Sequence, residues 1–296
     1  DKTKFEGSML DACESDADLI ITGLWDMKEI TEKVAQEFPE KKFIIFDTDV
    51  DYTLGDLSNV YSMSYKQNEG AFLAGVLAAS ATKSDMEYAN EDNVIGFVGA
   101  KDTAAVINDS AVGFIEGAQF VDPDVKVLVS YVGSYVDSAT AKELAITQYS
   151  NGADVVFVAA GPASVGVIEA AAESKKYCIG VDSDQSATID DYKEGLTVTS
   201  AMKGLQVTID NVLDAILDNE WDKYVGKIEN LGMESPDPAE NYVQLPEETT
   251  QWDGTFTKED YQKLVQRMYN GEYEVSSDST TFPETEITAT DYGSIK

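Results

Sequence analysis

This chain of 296 residues has no histidine and a single arginine, Arg267. The first absence removes the commonest general base and the commonest metal ligand near neutral pH. The second leaves almost no planar fork for clamping a carboxylate or phosphate. Cysteine is nearly missing too: Cys13 and Cys178 stand alone, with no CxxC or metal-binding spacing. Cys178 sits inside the apolar run Tyr177–Val181, where a buried small hydrophobe is expected, and no disulfide with Cys13 is expected. No apolar run approaches the ~18 residues of a membrane span. Ala71–Ala79, the longest, is expected to be a buried helix.

Carboxylates, by contrast, are abundant. Against 21 Lys+Arg stand 55 Asp+Glu, a net charge of −34. Such a surface repels phosphate backbones and anionic lipids, so nucleic acid is excluded as a partner, and neutral ligands fit best. No cofactor is expected. The length exceeds one ordinary core and suggests two domains.

Short apolar runs alternate with helical patterns along the chain. Strands are expected at Asp18–Thr22, Phe43–Phe46, Val60–Ser64, Val94–Val98, Val125–Val129, Val155–Ala159, Tyr177–Val181 and Leu196–Ser200. Helices are expected at Lys28–Phe38, Glu69–Thr82, Ala104–Val121, Ala139–Ser150, Ser164–Ser174, Met202–Asn219 and Lys258–Asn270, the last stopped by Asn270-Gly271. Continuous Val/Ile/Phe runs between amphipathic helices define an α/β fold with parallel sheets covered on both faces. The acidic stretch Ser84–Asn93 is a candidate boundary. Glu234–Asn241 reads as irregular, and the Ser/Thr/Glu-rich tail after Val275 as extended and weakly ordered.

The segment Gly180-Val-Asp-Ser-Asp-Gln-Ser186 places Asp182 and Asp184 at the carboxyl end of a buried strand, where open α/β sheets bind ligands. A carboxylate there suits the vicinal hydroxyls of a sugar. Either acid could instead cap the helix that follows.

Several strings occur together in order: Asn59–Tyr65, Glu69–Ala79, Ile95–Gly99, Val125–Ser134, Gly152–Gly161, Gly166–Ala171, Gly180–Gln185 and Thr199–Lys203. Together with the closing Leu264–Val275, they resemble the basic membrane protein family, the nucleoside-binding lipoprotein components of bacterial ABC importers. The resemblance implies a two-lobed type I periplasmic-binding fold with a ligand cleft at the hinge. The first lobe would be residues 1–92 plus about 202–240, and the second 93–201 plus about 241–296. Asp182 and Lys203 would bind the ribose, Phe157 would stack on the base, Gly161 would let the backbone approach, and Asp47 would address the base edge. From residue type alone, Phe157 also reads as core, Lys203 as an ordinary helix lysine and Asp47 as a solvated loop acid.

The resemblance carries further expectations. The ligand would be a purine nucleoside of the adenosine, guanosine and inosine class. The protein would be extracytoplasmic, held by a lipid anchor upstream of residue 1, and would feed permease subunits. Nothing in residues 1–17 matches the family's opening, so its strand–helix–strand is expected to be missing and nucleoside binding to be poor without it. At Gly23-Leu-Trp-Asp26 the chain departs from the family's glycine-rich turn, so Trp25 either supplies an aromatic face or covers the lobe. The alternatives are another flat ligand such as riboflavin, a sensory ectodomain and, more remotely, a nucleoside hydrolase built on Asp47, Asp49 and Asp51.

Overall fold

The structure is a computed structural model that describes residues 2–252, 255–280 and 289–290. In chain order it begins with α1 (Phe5–Glu14), β1 (Leu19–Gly23), α2 (Lys28–Glu37), β2 (Lys42–Phe46) and β3 (Val60–Tyr65). Then come α3 (Gln67–Thr82), β4 (Val94–Gly99), α4 (Ala105–Val121), β5 (Lys126–Tyr131), α5 (Ser138–Ser150) and β6 (Ala153–Ala159). Next are α6 (Ser164–Ser174), β7 (Tyr177–Asp182), α7 (Ser186–Asp190), β8 (Thr197–Lys203) and α8 (Leu205–Leu217). The chain closes with β9 (Ile228–Leu231), β10 (Val243–Gln244), α9 (Lys258–Tyr269) and β11 (Ala289–Thr290).

Two compact units emerge, each discontinuous in sequence: Asp1–Tyr65 with Leu205–Leu231, and Lys66–Gly204 with Gly232–Lys296. The break expected near residue 92 lies instead at Tyr65–Lys66, and the return to the second unit follows Leu231. Residues 66–92 belong to the second unit because α3 is locked onto α4 by glycine. A Cβ at Gly75, Gly113 or Gly117 would run into the backbone carbonyls of Phe114, Asn68 and Phe72 respectively. The helices therefore touch backbone to backbone, a contact that only glycine permits.

In the first unit the sheet order is β1-β2-β3-β9, all parallel. Phe43, Ile44 and Ile45 of β2 are fully buried, as a strand covered on both faces requires. Val34 and Ala35 of α2, with Met9 and Cys13 of α1, close this core. Tyr52 ties the sheet together, its hydroxyl donating toward Val60 O at 3.1 Å and Lys227 O at 2.9 Å.

The second unit has the order β10-β8-β7-β6-β4-β5-β11, parallel from β8 to β11, with β10 antiparallel at the edge. Winding reverses between the adjacent strands β4 and β6, so the crevice beyond their carboxyl ends is the switch point of a doubly wound sheet. At the opposite, amino end, the wholly buried Asp154 accepts hydrogen bonds from Thr82 Oγ1 (2.7 Å), Asn90 N (2.9 Å) and Asn90 Nδ2 (2.6 Å). Lys176 Nζ pairs with it at 2.5 Å. The acidic stretch read as a boundary is thus pinned to β6 by this one carboxylate.

Helix α9 opens on a reciprocal capping box between Thr257 and Asp260 and stops at Gly271, whose φ is 70°. Of the tail, Ser276 N donates to Glu116 Oε2 at 3.0 Å, so the chain is anchored to α4 there rather than loose. Residues 281–288 and 291–296, included in the weakly ordered reading, lie outside the described residues.

Candidate functional site

In the second unit, the residues following β6, β7 and β8 gather at the sheet's carboxyl end. Asp182 closes β7 with φ 71°, a left-handed conformation strained for a residue with a Cβ. Its Oδ1 meets Lys203 Nζ, at the end of β8, at 2.9 Å. The register pairs Asp182 with Met202, which brings the two side chains together from adjacent strands. The Asp182 side chain is 50% exposed and that of Lys203 13%. The pair therefore offers an open carboxylate beside a largely sheltered ammonium: acceptors for hydroxyl hydrogens next to donors for hydroxyl oxygens.

The turn that displays Asp182 is built by its neighbours. Gln185 Oε1 accepts from Val181 N at 3.2 Å, and Gln185 N donates to Ser200 Oγ at 3.1 Å. Gly180 makes room for this, since a Cβ there would come within 2.7 Å of Gln185 Oε1 and 2.8 Å of Ser200 Oγ. Asp184 takes the local structural role, accepting from Ser186 N at 3.0 Å and Thr249 Oγ1 at 2.8 Å. Burial raises its carboxyl's pKa, but these hydrogen bonds prevail and leave it below the usual carboxylate range. The two readings of this acid pair thus divide, with Asp184 stabilising the turn and Asp182 presented by it.

Gly161 follows β6 with φ 55°, and a Cβ on it would lie 3.5 Å from Tyr135 Cδ1. Ala163 N donates to Tyr135 O at 2.9 Å, which fixes the Tyr135 loop to the β6–α6 turn. Tyr135 is partly exposed, its hydroxyl's pKa raised by burial and opposed by the nearby Lys203. Lys101 Nζ, beyond β4, lies 5.6 Å from the Tyr135 ring centroid. An aromatic face thus stands at the switch point beside Gly161 and Lys203.

Phe157, expected to stack on a ligand, does not reach this end. It is wholly buried in the middle of β6, with ring centroids 5.5 Å from Phe97 and 5.4 Å from Phe114. It is a core residue, whereas Tyr135 is an exposed aromatic ring at the carboxyl end of the second unit. Tyr135 follows Gly133-Ser134 in an irregular loop, and that sequence context hides it from any periodicity.

In the first unit, Trp25 and Asp47 follow the neighbouring strands β1 and β2, and Leu24 N donates to Phe46 O at 2.8 Å. Asp47 has φ 57°. Leu24, at φ 72° and ψ 156°, occupies a region essentially reserved for glycine. Trp25 is 76% exposed. The neighbouring acids do other work: Asp51 Oδ1 accepts from Thr53 N at 2.9 Å, and Asp49 lies 3.8 Å from Lys28 Nζ. Among the described residues no group of three or more acidic or thiol side chains is placed to hold a metal.

A parallel sheet in each unit, with exposed polar and aromatic residues beyond the strands' carboxyl ends, is an architecture that solute-binding proteins share. Residues 4–278 match the family described as "ABC transporter substrate-binding protein PnrA-like", and the chain belongs to that family. The family is one of transporter binding components, not of enzymes. A CD4+ T-cell-stimulating antigen of Listeria innocua is 34% identical over 68% of this chain and 56% of its own length. The "ABC transporter nucleoside-binding protein BmpA" of Lactococcus lactis is 31% identical over 67% of this chain and 56% of its own. The chain therefore spans about half the length of these relatives. A solved solute-binding protein from Conexibacter woesei superposes with a TM-score of 0.71 at 21% identity, covering 94% of this chain and 85% of its own; this likeness bears on the fold. No helix among the described residues is long and apolar enough to cross a membrane.

Proposed function

We propose that the protein is an extracytoplasmic receptor for purine nucleosides that delivers its ligand to the permease of an ABC importer. The observation that carries this reading is the Asp182–Lys203 pair beside Tyr135 and Gly161. A carboxylate accepts from vicinal ribose hydroxyls with charge-assisted bonds of about 1.5–3 kcal/mol each. An aromatic face adds about 0.5–1.5 kcal/mol per ring contact to a flat base beyond area burial. The name of the Lactococcus lactis relative, a nucleoside-binding protein, supports the nucleoside assignment. Trp25 and Asp47 are candidate ligand contacts of the first unit. A lipid anchor upstream of residue 1 belongs to the same reading and rests on the family resemblance.

Riboflavin is the second flat ligand compatible with an aromatic face and a polyol-binding carboxylate. Titration calorimetry of the full-length protein with inosine, guanosine, adenosine, riboflavin and free ribose tests the assignment. Binding of purine nucleosides, with ribose and riboflavin much weaker, is expected. Preference for riboflavin, or no heat with any nucleoside, would overturn it.

A further inference from the structure

We propose that Lys101 selects the base, favouring 6-oxopurine nucleosides, which present two acceptors on one edge, over 6-aminopurine nucleosides; this rests on the purine-nucleoside reading above. Lys101 stands at the switch point, directly beyond β4, with its ammonium 5.6 Å from the centre of the Tyr135 ring. It enters no ion pair among the described residues, although the chain carries 55 acids. Lys203, whose charge also acts on Tyr135, is by contrast already held by Asp182. Lys101 is therefore a donor at this end of the sheet that no carboxylate among the described residues engages.

Cation–aromatic pairing alone would not single it out, because Lys193 lies 4.5 Å from the Tyr88 ring centroid. Tyr88, however, packs on Tyr177 at the start of β7, the end of the sheet remote from the switch point. Position decides the matter. A base laid on Tyr135 takes the space over the ring, and the flexible four-carbon stem carries the ammonium to the base's rim. A 6-oxopurine offers O6 and N7 there, both acceptors, whereas a 6-aminopurine sets an N–H₂ donor against the ammonium. Asp182 and Lys203 engage the sugar, so they bind both classes alike and leave discrimination to Lys101.

The test is titration calorimetry of the full-length protein with inosine, adenosine and unsubstituted purine riboside, which differ at position 6. Inosine is expected to bind about tenfold tighter than adenosine, with purine riboside between them. Lys101→Met should collapse the inosine-to-adenosine ratio toward one, and Lys101→Arg should keep it. Lys101→Gln, whose amide can both donate and accept, should also bring the ratio toward one and serves if the methionine variant misfolds. An unchanged ratio in both neutral variants, or a wild-type preference for adenosine, would overturn the inference while leaving nucleoside binding intact. Absence of any nucleoside binding would instead overturn both readings.

Discussion

Two aspartates of the second unit make the same bond in opposite settings, and removing each separates a structural ion pair from a ligand-facing one. Asp154 meets Lys176 at 2.5 Å with no side-chain exposure, while Asp182 meets Lys203 at 2.9 Å with half of its side chain in water. Asp154→Ala deletes the pair together with the acceptor of Thr82 Oγ1, Asn90 N and Asn90 Nδ2. It leaves an ammonium that is 18% exposed without a counter-charge. Breaking one side of a buried pair costs about 3–5 kcal/mol. Domain stabilities run about 5–15 kcal/mol, so this is a large share of the whole. Asp182→Ala removes a half-exposed partner and should cost under ~1 kcal/mol. Urea unfolding followed by far-ultraviolet circular dichroism, comparing midpoints and slopes, measures both. A loss below ~1 kcal/mol for Asp154→Ala, or a greater loss for Asp182→Ala, would refute the reasoning.

Two further outcomes are expected. Gly117→Val drives methyl groups into the Phe72 carbonyl across the α3–α4 contact and should cost at least about 1–3 kcal/mol, read as a lower urea midpoint. Burial, with Asp278 nearby, pushes the Asp109 carboxyl up to about 6. Its folded pKa lies above the unfolded value of 3.8, so the folded state binds the proton more tightly. Stability should therefore fall as pH rises from about 4 to about 6, and Asp109→Asn should flatten that slope in pH-dependent melting curves.

Much of the fold was legible in the residues, and the exceptions have physical causes. The eight strands read from apolar runs all form; the central ones, such as β2, β4 and β6, are buried on both faces and need no polar alternation. Strands β9, β10 and β11 escaped because Ile228-Glu-Asn-Leu231 is short and half polar and the other two have two residues each. Their existence depends on partners remote in sequence. The acidity of Ser84–Asn93 suggested a unit boundary there, whereas α3 is tied to α4 by Gly113 and Gly117 against the backbone of Asn68 and Phe72, and by Gly75 against that of Phe114. Asp182 was legible as a strand-end carboxylate, whereas Lys203, expected in a helix starting at Met202, instead ends β8, and the register brings the two into contact. Phe157, which residue type already read as core, was given a stacking role only by the resemblance, and its full burial in β6 keeps it in the core. Tyr135 went unnoticed because its place is set by a loop and by hydrogen bonding to the β6–α6 turn.

The most direct test of the ligand assignment is a double-mutant cycle on inosine affinity, using Asp182→Ala, Lys203→Ala and the double variant of the full-length protein. Each single change should weaken binding by roughly tenfold or more, equivalent to about 1.4 kcal/mol per decade. The double change should cost less than the sum of the two, because the residues share one hydroxyl-binding surface. Unchanged inosine affinity in all three variants would contradict a ribose site at the carboxyl ends of β7 and β8.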